Sequence, residues 1–271
     1  MNKIKIGSLF SGIGGFELGL ERAIPNSKTI WQCEKNTFCQ KILKKHWPNT
    51  KIFDDIKEMH NETIDLVDII IGGFPCQDIS NAYTNGKAGI AGGKKSSLWK
   101  DMWKIIDRTR PKICIIENVR VLLSRKRGFN IVLNDFFKMR YDVEWISLSA
   151  RSIGAPHLRN RVFAIAYPNM QRCQKQSMYA KPMESNGMFE CGSRKDGRVH
   201  KRNYWQRTPI ESPLCRVDDG IPDRLDRIRA LGNAIVPQCS ETIGRYIMQS
   251  GILDDIEEYR KIQKEINNIP W

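Results

Sequence analysis

The first 166 residues of the chain alternate short apolar runs with amphipathic stretches, and this alternation is the feature that most constrains the fold. The apolar runs have the length of β-strands, whereas the stretches between them repeat with the period of an α-helix. Strands that alternate with helices form parallel sheets with helices on both faces. The sequence therefore predicts an α/β protein with a doubly wound, Rossmann-like, mostly parallel sheet.

The individual elements follow from the same periodicity. The predicted strands are Ile4–Phe10, Thr29–Cys33, a short third strand before Asp54, Leu66–Ile71, Lys112–Ile116, Val143–Leu148 and Arg161–Ala166. The predicted helices are Gly15–Ala23, Thr37–His46, Leu98–Arg108, Pro222–Leu231, Pro237–Met248 and Ile252–Ile266. The last of these is amphipathic and rich in charge, and the sequence indicates no chemical role for it.

The alternation breaks down between Tyr167 and about Arg216, where the chain is polar and basic. Between Gln171 and Arg216 there are ten Lys and Arg and four Asp and Glu, a net charge of +6, and aromatic residues are interspersed among them. A disordered linker and a basic excursion that reaches nucleic acid both fit this composition. The formal net charge of +14 for the whole chain favours a polyanionic partner, although a solvated basic face would also produce it.

The remaining composition limits the setting in which the protein works. The eight cysteines include no CxxC pair, so neither a structural zinc nor a disulfide framework is expected. No apolar run approaches the roughly 20 residues that span a bilayer, and the first residues lack a secretory apolar region. We therefore expect a cytoplasmic protein with no membrane contact and no metal.

A glycine-rich turn and acidic residues follow the first three predicted strands. Phe10–Gly15 lies between the first strand and the first helix, where glycines let the backbone approach a ligand and a helix N-terminus favours an anion. Glu34 follows the second strand, and Asp54–Ile56 follows the third. Each feature alone also fits a tight turn, a helix cap or a solvated carboxylate. Together, at successive strand ends, they predict a crevice for an adenosine-bearing cofactor.

Cys76 follows a buried strand within Gly72–Gln77 and is held behind a rigid proline, Pro75. An average cysteine is a small core residue, whereas a thiolate at a strand end is well placed to act as a nucleophile. Residues 77–97 are polar and contain four glycines and three lysines, as is typical of a mobile catalytic loop with phosphate-binding charges.

Two further groups of polar residues accompany predicted strands. Glu117 comes at the end of one of them, where burial would favour the neutral carboxyl group and so a hydrogen-bond or proton donor. Arg159 and Arg161 are two residues apart, so they point to one side of an extended strand. Two guanidinium groups on one face can hold a carbonyl oxygen or a phosphate, and two exposed arginines on an edge strand are the alternative.

Taken in order, these motifs resemble those of the DNA (cytosine-5)-methyltransferases of bacteria and phages. The matching segments are Phe10-Ser11-Gly12-Ile13-Gly14-Gly15, Glu34, Asp55-Ile56, Pro75-Cys76-Gln77, Glu117-Asn118-Val119, Arg159-Asn160-Arg161 and Gly232-Asn233-Ala234-Ile235-Val236-Pro237. They extend over the whole chain except its basic middle and its C-terminal tail. His157 stands where the family usually has glutamine.

The resemblance implies a role for each matching residue. Cys76 would attack carbon 6 of a flipped-out cytosine, Glu117 would contact ring nitrogen 3, and Arg161 would hold the base while Arg159 supports the site. S-adenosylmethionine is the implied methyl donor. Its implied binding residues are Phe10, Gly12, Gly14, Glu34, Asp55, Ile56, Pro75 and Asn233.

The resemblance also implies a domain organisation and partners. Residues 1–166 and 217–271 would form a discontinuous catalytic and cofactor-binding domain of the methyltransferase fold, into which a small target recognition region, residues 167–216, is inserted. The expected partner of this monomer is double-stranded DNA, and a cognate restriction endonuclease on a separate chain is left open. The alternatives are a tRNA cytosine-5 methyltransferase and a catalytically silent nucleic-acid-binding protein; a nicotinamide-dependent oxidoreductase leaves Cys76 and the arginine pair unexplained.

Overall fold

The computed structural model describes residues 3–75, 98–124, 128–169 and 224–267. Its strands are β1 (Ile4–Leu9), β2 (Ser27–Cys33), β3 (Lys51–Phe53), β4 (Ile69–Gly72), β5 (Ile113–Val119), β6 (Tyr141–Ser149) and β7 (Asn160–Pro168). Its α-helices are α1 (Gly15–Ala23), α2 (Thr37–His46), α3 (Leu98–Thr109), α4 (Phe129–Lys138), α5 (Arg224–Asn233), α6 (Pro237–Ser250) and α7 (Ile256–Asn267). Single 3-10 turns follow β3, β5 and β6.

The strands form one sheet in the order β3-β2-β1-β4-β5-β7-β6. All pairs from β3 to β5 are parallel, and β7 is antiparallel to both β5 and β6. The predicted α/β fold with a mostly parallel, doubly wound sheet is therefore confirmed.

Side chains of the central strands alternate between two cores. Ile69 and Ile71 of β4 point to the core that contains α1 and α6, whereas Ile70 points to the core that contains α3 and α4. This period of two is the pleat of a strand with both faces covered. It explains why the central strands are apolar at successive positions rather than at alternate ones.

Most strands differ from their predicted bounds by one to three residues, and in β5 and β4 tertiary contacts account for the difference. β5 continues through Glu117 to Val119, since β7 pairs with it along that whole length. β4 begins at Ile69 rather than Leu66, and the Asp68 carboxylate just before it accepts a hydrogen bond from Lys5 N at 2.7 Å. Helix α4 has no predicted counterpart, because Phe129–Lys138 is rich in β-branched and aromatic residues that favour strands.

The C-terminal helix α7 covers the amino-terminal ends of the central strands. Arg260 forms two contacts with the buried carboxylate of Asp68, at 2.7 and 2.6 Å. Gln263 Nε2 donates to the carbonyl oxygens of Val67 and Thr109, at 3.0 and 2.7 Å. These contacts satisfy polar groups that the sheet end would leave unpaired, so α7 has a structural role. None of the helices in the described parts of the chain is both long enough and apolar enough to cross a membrane.

Candidate active site

Three parallel strands end side by side and form one edge of a cleft. Leu9 of β1 pairs with Cys33 of β2, and Cys33 pairs with Phe53 of β3. The residues that follow these three positions are Phe10, Glu34 and Asp54. On its other side β1 pairs with β4, so the strand order reverses direction at β1. Open α/β sheets bind ligands at such a switch point, beyond the carboxyl ends of the strands.

The turn after β1 opens its backbone toward this cleft. Phe10 has a φ of 58° although it carries a side chain, and Gly12 has a φ of 56°. Gly12 N donates to Glu34 Oε2 at 2.7 Å, and Ser11 N donates to Cys33 O at 3.1 Å. A Cβ added to Gly12 would meet no atom within 4 Å, so this glycine faces open space. The structure thus brings Phe10, Gly12 and Glu34 together.

The next two glycines, Gly14 and Gly15, lie where other parts of the chain pack closely against the backbone. Gly14 has a φ of 85°, and a Cβ there would lie 2.3 Å from the ring of Trp47. A Cβ on Gly15 would lie 2.2 Å from the carbonyl oxygen of Ile235. The first turn of α1 is therefore in contact with the end of α2 and with the segment that leads into α6. A contact between Gly14 and a cofactor stays a prediction.

The acidic segment after β3 is only partly open. Asp55 forms an ion pair with Lys35 at 2.7 Å, and this pairing, with a hydrogen bond from Lys57 N, lowers the pKa of its carboxyl group. Ile56 is buried in the core beneath the sheet edge. Asp55 is thus placed to remain ionised near the cleft, and the role of both residues toward an adenine ring stays a prediction.

The chain that leads into Cys76 is anchored beside β5. The Phe74 ring is buried against Trp99 with 5.6 Å between the ring centroids, and the Phe74 carbonyl accepts a hydrogen bond from Asn118 Nδ2 at 3.0 Å. A Cβ on Gly73 would lie 3.0 Å from Glu117 Oε2. Pro75 is half-buried. Cys76 and the predicted loop 77–97 lie outside the described residues.

Glu117 is buried within β5 and faces Arg161 of β7. Arg161 pairs with Val119, two residues from Glu117, so the side chains of Arg161 and Glu117 emerge on the same face of the sheet. Arg161 Nε lies 2.8 Å from Glu117 Oε1. Burial raises the pKa of the Glu117 carboxyl, and the positive charges of Arg161 and Arg159 oppose that shift in part. The structure therefore supports the expected tendency of this acid toward its neutral form.

Arg159 connects this acid to the late segment of the chain. It precedes β7 rather than lying in it, and its Nη1 donates to the carbonyl oxygen of Gly232 at 2.8 Å. The neighbouring Asn233 lines the cleft together with Phe10, Gly12 and Glu117. Residues more than 200 positions apart in the sequence thus line one cleft.

A second, larger cavity meets the cleft at the Glu117–Arg161 pair. It has a volume of about 920 Å³ and is lined by Arg161, Arg159, His157, Trp47 and Leu231, among others. Glu117 lines the cleft, whereas Arg161 lines the cavity, and the two side chains are in contact. The volume is within the range of ligand-binding pockets.

The described cleft residues fit an adenosine-bearing cofactor with a positively charged sulfur. The Phe10 ring can attract a cation, and the open Gly12 backbone leaves room for a ligand chain. Glu34 accepts one backbone hydrogen bond on each oxygen, at 2.7 Å in both cases. Each of these oxygens can accept one more hydrogen bond, which suits them to ribose hydroxyl groups.

Two residues that shape the site, Gly19 and Ser240, carried no recognisable signal in the sequence. Gly19 lets α6 approach α1, because a Cβ there would lie 2.0 Å from the hydroxyl oxygen of Ser240. Ser240 Oγ in turn donates to Gly15 O at 3.1 Å. A small residue in a helix indicates that another segment packs closely there, but the sequence does not show which segment.

The protein has the methyltransferase fold, which is marked by this sheet order, the antiparallel β7 and the cleft at the switch point. A methyltransferase of Entamoeba histolytica, EhMeth, has a similar structure, with a TM-score of 0.56 and 18% identity over 94% of this chain and 99% of that one. At this identity the likeness shows the fold alone.

The chain belongs to the C-5 cytosine-specific DNA methylase family, whose family model matches residues 4–212. The Type II methyltransferase M.Sau3AI of Staphylococcus aureus is 35% identical over 237 residues, which are 81% of this chain and 57% of that protein. The Type II methyltransferase M2.BsuMI of Bacillus subtilis is 36% identical over 169 residues, 60% of this chain and 42% of that protein. The chain spans about half the length of the curated relatives it matches.

Proposed function

We propose that the protein is a DNA (cytosine-5)-methyltransferase that uses S-adenosylmethionine. The observation that carries the proposal is the buried Glu117–Arg161 pair, which lies where the cleft at the switch point meets a second cavity. Such an acid, held by a guanidinium group, is suited to bind a pyrimidine ring at a nitrogen and an adjacent carbonyl oxygen. The Type II methyltransferases among the relatives support the same substrate class.

In this proposal the side chains divide the chemistry among them. The Cys76 thiolate adds to carbon 6 of a cytosine that has been flipped out of the duplex, which makes carbon 5 nucleophilic. Glu117 hydrogen-bonds ring nitrogen 3 and stabilises the charge that develops there, while Arg161 holds the carbonyl oxygen. Arg159 supports this arrangement through Gly232. Loss of the carbon 5 proton and expulsion of the thiolate then restore the aromatic ring.

The cofactor supplies an electrophilic methyl group when it is bound. Phe10, Gly12 and Asn233 would surround its methionine part, and Glu34 would accept hydrogen bonds from its ribose. Asp55 and Ile56 are assigned to the adenine, and Gly14 and Pro75 complete the proposed set.

We further propose a discontinuous catalytic domain of residues 1–166 and 217–271. The contact of α6 with α1 supports it, since Ser240 donates to Gly15 across that interface. Residues 167–216 would be the target recognition region, and duplex DNA would be the partner of a monomeric enzyme. Because the two Type II methyltransferases named above are bacterial, we place the reaction in the cytoplasm of a bacterial or phage-infected cell. A separate restriction endonuclease is the further partner that Type II systems suggest.

Methyl transfer from labelled S-adenosylmethionine to duplex DNA and to tRNA, measured side by side, tests the substrate. We expect label in DNA, and label only in RNA would establish the tRNA methyltransferase instead. Label in neither, with DNA binding retained, would favour the silent binding protein. Bisulfite sequencing of DNA from cells that express the protein then reports the modified base and its sequence context.

A further inference from the structure

Glu17 is a buried acid that the proposed reaction does not use. It lies in the first turn of α1 and has no exposed surface. Carboxyl groups are rarely buried to this extent without an ionic partner, since the charged form loses its hydration. The polar side chains that act on this carboxyl are Ser8, Ser11 and Gln32, and all three are neutral. Burial accordingly raises the pKa of Glu17, and these side chains oppose that shift in part.

Glu17 and Gln32 are joined by one hydrogen bond, and each of them keeps one buried oxygen without a partner. Gln32 Nε2 donates to Glu17 Oε1 at 3.2 Å. Within the described part of the chain, Glu17 Oε2 and Gln32 Oε1 are both buried and have no hydrogen-bond partner. Both atoms are acceptors as long as Glu17 is ionised. A proton on Oε2 converts that oxygen into a donor, and Gln32 Oε1 is the acceptor on the group already bonded to Glu17.

This cluster lies directly beneath the turn that opens toward the cofactor cleft. Ser11 Oγ donates to Ser8 Oγ at 2.9 Å, and both serines line the cleft. Ser11 stands between Phe10 and Gly12, both of which have positive φ values. For a residue with a side chain, such as Phe10, this conformation persists only when the surrounding structure imposes it. The Glu17 cluster is one of the groups that surround the turn, together with Glu34.

We propose that Glu17 is a positioning residue whose carboxylic acid pairs with the Gln32 amide and, through Ser8 and Ser11, holds the Phe10–Gly12 turn in its cofactor-binding shape. The pairing connects α1 to β2, the strand that ends at Cys33, directly before Glu34. This inference rests on the proposed use of S-adenosylmethionine.

The experiment compares three substitutions in the full chain. Glu17→Gln keeps a neutral group that can pair with an amide, whereas Glu17→Leu has similar size but no hydrogen-bonding atom. Glu144→Leu is the matched control, because Glu144 is also buried, with a carboxyl pKa raised by burial, but bonds Tyr167 and Tyr246 beside β6. The dissociation constant of S-adenosylmethionine is measured by calorimetry, and the unfolding temperature is measured in parallel.

We expect Glu17→Gln to bind within about twofold of the unsubstituted protein and Glu17→Leu to bind at least about tenfold more weakly. Glu144→Leu should lower the unfolding temperature without weakening binding. A Glu17→Leu protein that binds normally, or a Glu17→Gln protein that binds as weakly as the leucine variant, overturns the proposal.

Infrared spectroscopy decides the pairing without any ligand. The difference spectrum between the unsubstituted protein and Glu17→Gln at neutral pH should contain the carbonyl stretch of a protonated carboxylic acid, and a carboxylate signal instead would refute the pairing. This readout applies even if Glu17→Leu fails to fold. If the unsubstituted protein binds no S-adenosylmethionine, the proposed function and the coupling to the cofactor both fail, while the infrared result still decides whether Glu17 is protonated.

Discussion

The Nε atom of Arg161 lies 2.8 Å from Oε1 of Glu117, and the two residues come from antiparallel neighbouring strands. The register places Arg161 opposite Val119, so its side chain crosses diagonally to the acid two positions away. This diagonal is a regular feature of antiparallel pairs and needs no special loop. Because β7 runs antiparallel to β5, Arg161 reaches the buried Glu117 and is its positively charged partner.

Replacing Glu117 by Gln should lower the rate of methyl transfer by about 10²- to 10⁴-fold, as is typical for removal of a positioned acid.

The same substitution should make the protein relatively more stable as the pH rises. Because the folded-state pKa of Glu117 is raised above the usual value of 4.5, the folded protein loses stability as pH rises from that value to the raised pKa. Glutamine does not titrate, so the stability of Glu117→Gln relative to the unsubstituted protein should rise over that interval. Urea unfolding at several pH values measures the difference, and a difference that falls with pH would contradict the assignment of the shift to burial.

Replacing Cys76 by Ser should abolish methyl transfer and leave S-adenosylmethionine binding intact, because a hydroxyl group is a far weaker nucleophile than a thiolate. DNA that contains 5-fluorocytosine should trap a covalent adduct with the unsubstituted protein, since fluorine cannot leave as a proton does. Mass spectrometry of the digested adduct identifies the attached residue. An adduct on any other cysteine would refute the proposed nucleophile.

Gly12→Ala and Gly14→Ala should separate ligand binding from packing. Both positions have positive φ values, so each substitution costs about 1–2 kcal/mol of backbone strain. At Gly14 the added methyl group also overlaps the Trp47 ring, and overpacking adds about 1–3 kcal/mol. Gly14→Ala should therefore lower the unfolding temperature more than Gly12→Ala does. Relative to the stability that each substitution costs, Gly12→Ala should weaken cofactor binding more than Gly14→Ala does. The reason is that the methyl group added at Gly12 enters the open cleft. Equal effects of the two variants in both measurements would argue against this division.

Arg260→Met should destabilise the protein by about 3–5 kcal/mol, because it leaves the Asp68 carboxylate buried without a counter-ion. Arg245→Met is the matched control, since Arg245 pairs with Glu241 on the exposed side of α6 and should change stability by less than about 0.5 kcal/mol. Adding Asp68→Asn to Arg260→Met should restore part of the loss. Urea unfolding gives the free energy of unfolding of all four proteins, the unsubstituted one included. A small effect of Arg260→Met would show that the ion pair between Arg260 and Asp68 does not stabilise the end of the sheet.

The sequence predicted best where local chemistry decides the structure. The bounds of α1 and α2 are those predicted, because a glycine-rich turn precedes the first helix and Pro48 follows the second. The candidate site residues could be selected from the sequence because reactive or charged side chains, which rarely serve packing, follow the predicted strands. β5 is longer than predicted, because its final residues form a strand only when β7 is beside them. The same pairing decides that Glu117 has a cation.

By itself, the order of apolar runs and motifs determined the fold class, the family and the set of candidate residues. Only the tertiary structure decided which glycine opens the cleft and which makes room for Trp47, since both lack a side chain and both have positive φ values. It also decided that α7 closes the sheet end through Arg260 and that Glu17 lies buried among neutral partners. These are contacts between residues distant in the chain, and local periodicity contains no information about them.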